Sequence, residues 1–207
     1  MPLANARLAD GTFFSEHWAV SILPGGGFLR ESSDMKSERK LLVVSAEENR
    51  EDLTFALREG EAIGAHLATQ SKKLLSGSQA SLAATLELMR NADFVHLSCH
   101  GHYEAMQPQF SGPTSHFQLC ARLVFLSCCE SGISGRTIPP DEFVGLLPSF
   151  LQCGARGTIG ALWPVYDDAA MLLSQNSNRL LKFAIFLDTV NTPSVGNFGR
   201  PCCSTSY

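Results

Sequence analysis

Two short stretches hold residue types that covalent chemistry uses. One runs Cys99-His100-Gly101-His102-Tyr103, the other Cys128-Cys129-Glu130-Ser131-Gly132, and each follows an apolar run ending in serine. A thiol and an imidazole are the minimum for a nucleophile with its base. A nearby imidazolium lowers a thiol pKa, and glycines beside both residues leave backbone N–H groups open to an oxyanion. The plain alternative is a packed cysteine and a loop histidine with no joint role. His102 competes with His100 as the base, whereas His96 lies inside a strand and reads as a sheet-packing residue. A zinc site drawn from Cys99, His100, His102 and Cys129 matches no common zinc module in spacing.

These residues need a frame to bring them together, and the surrounding sequence supplies one. Leu41–Val44, Phe94–Ser98 and Leu123–Ser127 are short apolar runs suited to strands buried on both faces. Gly157–Leu162 reads as another strand and Lys73–Leu75 as a short edge strand. Between them, Leu53, Leu57, Ile63 and Leu67, with Ala56, stripe a helix over 52–68. Leu82, Leu86 and Met89 mark a second helix over 81–90. Phe143 through Cys153 fits a third, stopped by Gly154 despite Pro148. Asp167 or Asp168 is placed to cap a fourth through Leu173. His17–Leu23 alternates enough for a strand ending at the Gly25-Gly26-Gly27 turn, which lacks the pattern of a phosphate loop. Strands alternating with helices imply an α/β fold with a mostly parallel sheet covered on both faces. In such sheets sites form where strand carboxyl ends open into loops, and both thiol-bearing stretches begin at strand ends.

Composition bounds the rest. A chain of 207 residues, 44% hydrophobic and 17% charged, can build one buried core and is not a disordered polymer. Sixteen basic against twenty acidic residues leave no electrostatic footprint for nucleic acid. No apolar run is long enough to span a bilayer, and the start lacks a secretory leader, so a cytoplasmic protein with reduced cysteines is expected. The seven cysteines show no CxxC pair, the spacing of a structural zinc site, and thiol–imidazole acyl transfer would require neither a metal nor an organic cofactor.

VHLSCHGHY followed by LVFLSCCESG resembles the paired signatures of the CHAT domain, a caspase-like cysteine peptidase domain related to caspases and separases. In that family one strand ends in His-Gly and the next core strand in a motif like L-S-A-C-x-T-G. The resemblance puts the nucleophile at Cys129, a small-residue position at Cys128, and the general base at His100. It extends to Leu53–Glu61, to residues 92–97, to Phe143–Ala155 and to GTIGALWPVYDD at 157–168, covering residues 1–175. It implies a caspase-like three-layer α/β fold and an endopeptidase acting on protein or peptide substrates. The oxyanion donors would be the N–H groups of Gly101 and Cys129. Trp163 either walls the substrate groove or fills the core, and Asp168 either lines a pocket or caps a helix. Family members are often attached to tetratricopeptide repeats, so such repeats or other regulatory domains are the implied partners.

Three departures from the family pattern stand out. The interval between 103 and 122 is short where the family carries groove-shaping structure, an earlier N-terminal strand is expected to be missing, and residues 176–207 diverge into an expected poorly ordered tail, Pro/Gly/Ser-rich from Asn191. A second function class follows from them: a catalytically inactive caspase-like module for protein–protein interaction. A receiver-like or hydrolase domain fits less well, lacking both an acidic phosphorylation cluster and a G-x-S-x-G elbow.

Overall fold

The computed structural model describes residues 6–18, 40–45, 56–66, 71–99, 117–128, 145–161, 165–166, 168–169 and 171–172. Its centre is a five-stranded sheet of β1 (Lys40–Ser45), β2 (Ser71–Ser76), β3 (Phe94–Ser98), β4 (Leu123–Ser127) and β5 (Thr158–Gly160). The spatial order is β2-β1-β3-β4-β5, and every neighbouring pair is parallel. Helices α2 (Ala56–His66), α3 (Leu82–Met89) and α4 (Leu146–Gln152) fill three of the four connections, and a short α1 (Phe14–His17) precedes the sheet. This is the α/β architecture expected for a caspase-like fold.

Strand alternation divides the apolar residues between two faces. Leu42, Val44, Val95, Val124 and Leu126 form one core with Met89 of α3 and Phe150 of α4. Leu41, Val43, Phe94 and Leu123 form the other with Ile63 of α2. Successive residues of one strand therefore enter opposite cores, as a sheet sandwiched between helix layers requires. Right-handed crossovers account for the layering: the chain steps one way from β1 to β2 through α2, then back the other way through α3 and α4.

The expected strands β1, β3 and β4 form within a residue of their sequence bounds, and β2 is the edge strand. Ser81 caps α3, its hydroxyl accepting from the Ala84 N–H at 3.3 Å. Pro148 is tolerated because it occupies the first turn of α4, where a backbone N–H has no helical partner to lose. Gly154 ends that helix at φ +114, and a Cβ there would lie 2.4 Å from the Leu119 carbonyl oxygen.

Three expectations need correction. His17 belongs to α1 rather than to a strand, because the Glu16 carboxylate accepts the Phe13 N–H at 2.9 Å and closes a helical turn; residues 19–23 lie outside the described residues. Leu82 is 75% exposed, since the first residue of α3 points past the sheet that Met89 packs on. The buried face of α2 is also rotated from the expected stripe. Ala56, Glu59, Gly60 and Ile63 face inward while Leu57 is only half-buried.

Gly60 explains that rotation. A Cβ at this position would lie 2.7 Å from Ser45 Oγ and 2.9 Å from Val43 Cγ1, so the missing side chain lets α2 rest directly on β1. In an exposed helix, Gly→Ala stabilises by about 1 kcal/mol. Here overpacking against a buried strand reverses the sign, and Gly60→Ala should lose about 1–2 kcal/mol. Urea unfolding checks this; a neutral or stabilised variant would contradict the packing described.

Candidate functional site

The carboxyl edge of the sheet is chemically distinct from the rest of it. Four strands end in serine at one register level: Ser76, Ser45, Ser98 and Ser127 pair in sequence across β2, β1, β3 and β4. On the α2 face, the residues nearer the amino ends are apolar, namely Leu41, Phe94 and Leu123. Polarity thus rises along each strand toward the edge where a site is expected.

A buried carboxylate faces this row. Glu59 of α2 has no solvent exposure, and its Oε2 accepts a 2.8 Å hydrogen bond from Ser98 Oγ. The Ser127 hydroxyl, register partner of Ser98, also lowers the pKa of this carboxyl. His96, 3% exposed and stacked on Phe125 at a 5.0 Å ring separation, sets Nε2 3.2 Å from Glu59 Oε1. Neither of those two atoms makes a well-directed hydrogen bond, so the contact is one of close packing. Burial alone would push the Glu59 carboxyl up. His96 and the two serine hydroxyls outweigh it and hold the group below its ordinary value. Ser45 Oγ donates to the Ala56 carbonyl at 3.0 Å, fixing the start of α2 against the same edge.

The opposite face of this edge holds two thiols. Cys99 and Cys128 each follow the paired serines, and their Sγ atoms lie 3.2 Å apart. Cys128 is 6% exposed within the α3–α4 core, and its thiol also donates to the Leu97 carbonyl at 3.6 Å.

Of the residues singled out from sequence, Cys99, Cys128, His96 and Asp168 are described. His96 packs in the sheet as expected. Asp168 is exposed, and its Oδ1 accepts from the Ala169 N–H at 2.7 Å, a local backbone contact of the kind expected near a helix start. His100, Gly101, His102, Cys129, Trp163 and Asp167 lie outside the described residues, as does the tail from 176. Among the described residues, no three His, Cys, Asp or Glu side chains converge to hold a metal. No helix there is long and apolar enough to cross a membrane.

Sequence reasoning missed Glu59 and the contact between Cys99 and Cys128. The signal for the first was present: Glu59 stands three residues after Ala56 and four before Ile63, on the stripe that must face the sheet. A carboxylate on such a stripe needs buried donors, and the strand-terminal serines supply them.

A family profile described as the CHAT domain matches residues 1–114 and 113–181. No curated protein and no solved structure matches the chain.

Removing the Glu59 carboxylate leaves the buried Ser98 hydroxyl without its acceptor and takes the carboxylate from beside buried His96. Glu59→Ala should therefore cost about 3 kcal/mol in urea unfolding. The folded carboxyl titrates below its unfolded value of about 4.3. Its contribution is thus fully present above that pH and is lost as pH falls through the lower folded value. Glu59→Gln should flatten the acid limb of the stability profile. An acid limb as steep as that of the parent protein would show that Glu59 is not the titrating group.

Proposed function

The chain belongs to the CHAT domain family, a caspase-like, peptidase-related family, and from that premise we propose that it is a cysteine endopeptidase acting through His100 and Cys129. One observation carries this reading. Ser98 and Ser127 are register partners on adjacent parallel strands, and His100 and Cys129 each follow two residues later. Neighbouring strand ends at one rim are where a nucleophile and its base can be delivered together.

The chemistry is acyl transfer to sulfur and then to water. His100 takes the Cys129 proton, and the thiolate attacks the scissile carbonyl carbon. The C–N bond breaks as the imidazolium protonates the leaving amine, and water activated by the same ring hydrolyses the thioester. The N–H groups of Gly101 and Cys129 hold the oxyanion, a role worth about 3 kcal/mol per donor in other enzymes. Trp163 walls the groove and Asp168 contributes to a pocket for a protein or peptide substrate. These steps require no metal or organic cofactor. A thiolate nucleophile suits a reducing, cytoplasmic setting, and tetratricopeptide or other regulatory domains are the partners the family suggests.

A specific observation favours a second reading, a non-catalytic caspase-like interaction module. The family match divides at 113–114, inside the short interval of 103–122, and this supports the loss of structure that would shape a groove.

A peptidyl electrophile separates the two. Cys129→Ala should abolish labelling, Cys128→Ala should retain it, and His100→Asn should slow it about 100-fold at pH 7. Equal labelling of both cysteine variants, or reaction no faster than that of a free thiol, would reject the peptidase in favour of the module.

A further inference from the structure

The proposed peptidase chemistry does not use the pair Cys99 and Cys128, yet the fold places them together at the edge where the site strands end. Their Sγ atoms are 3.2 Å apart, each on the residue after a registered serine pair. Adjacent strands run about 4.8 Å apart, within the Cα separation of about 4.4–6.8 Å that disulfides span. Bond formation needs the sulfurs to close from 3.2 Å to about 2.05 Å. We propose that Cys99 and Cys128 form a reversible dithiol–disulfide couple, oxidised by hydroperoxides, that regulates the adjoining site.

The two thiols are unequal in the way such a couple requires. The contact with Cys128 lowers the Cys99 thiol below its ordinary pKa, against the opposing effect of burial. The hydrogen bond to Cys99, reinforced by burial, pushes Cys128 well up. Cys99 is also the more exposed of the two. Peroxide reaches the half-buried Cys99 before the buried Cys128, so Cys99 is the attacking thiol and Cys128 the resolving thiol.

In the first step Cys99 sulfur attacks the peroxide and the O–O bond breaks, giving a sulfenic acid and, for hydrogen peroxide, hydroxide that leaves as water. In the second, Cys128 sulfur attacks the sulfenyl sulfur. The S–S bond forms, the S–O bond breaks, and the oxygen departs with the Cys128 proton as a second water. Two thiols lose two electrons in all, and the peroxide gains them. A dithiol reductant reverses the step by exchange.

Regulation, unlike the couple itself, rests on the peptidase reading. His100 and Cys129 directly follow the two thiols in the chain. Drawing the sulfurs together shifts the backbone that carries both groups, and misplacement of reacting groups by about 1 Å costs as much as 100-fold.

The test treats the whole chain with hydrogen peroxide, blocks remaining thiols with N-ethylmaleimide and maps peptides by mass. Cys99 shares a tryptic peptide with Cys120, and Cys128 shares one with Cys129, so fragment ions assign the link. The expected product joins Cys99 to Cys128, has lost two hydrogens, reverts with dithiothreitol and is absent from Cys99→Ser. Alkylation of both thiols after peroxide treatment, or a link through Cys120 or Cys129, would overturn the couple and identify the pair as packed core thiols. Electrophile labelling of Cys129 should slow by about tenfold in the oxidised protein and recover on reduction. A disulfide that leaves this rate unchanged would overturn the regulatory role. Absence of labelling in both states would reject the peptidase while the couple stands.

Discussion

A carboxylate withdrawn from water must find its compensation in the protein, and Glu59 finds it at the ends of two strands. The cost of burying an isolated charge exceeds the stability of most domains, so the donors around it are not optional. Ser98 and Ser127 reach it from β3 and β4, and His96 approaches from within β3. Gly60, one residue along the helix, removes the side chain that would hold α2 off β1. Helix position and strand register are therefore specified together. A slip of β3 by one residue would turn His96 and Ser98 to the other face and leave the carboxylate with fewer donors.

This clamp sits near the reversal of the chain's winding. The chain leaves β1 in one direction to reach β2, while β3 leads in the other toward β4 and β5. The carboxyl edge beside such a reversal is where open α/β sheets place their sites. Here that edge carries serines on the α2 side and thiols on the α3–α4 side. One face holds the strand ends through polar contacts, and the other places two thiols in contact.

Much of this frame was legible from sequence because its signals are local. Phe94–Ser98 and Leu123–Ser127 are short apolar runs bounded by polar residues, and both form strands with those limits. The inward face of α2 was less legible, since Glu59 and Gly60 carry no apolar signal and their burial depends on what β1, β3 and β4 offer. Leu82 misled for the opposite reason: an apolar residue at a helix end need not meet a core. The proximity of Cys99 and Cys128 could not be read locally at all. It depends on the pairing of Ser98 with Ser127, residues far apart in the chain. The motifs at His100 and Cys129 resemble family signatures, and each follows a strand whose end is registered with the other.

Peptidase chemistry at this edge requires that two strand ends present one imidazole to one thiol. A crystal structure of the chain alkylated by a peptidyl electrophile measures this directly, through the separation of the His100 ring from Cys129 Sγ. The expected result is a ring nitrogen about 3–4 Å from the sulfur, with Glu59 still bonded to Ser98. A separation beyond about 7 Å, or side chains leaving on opposite sides of the sheet, would contradict it.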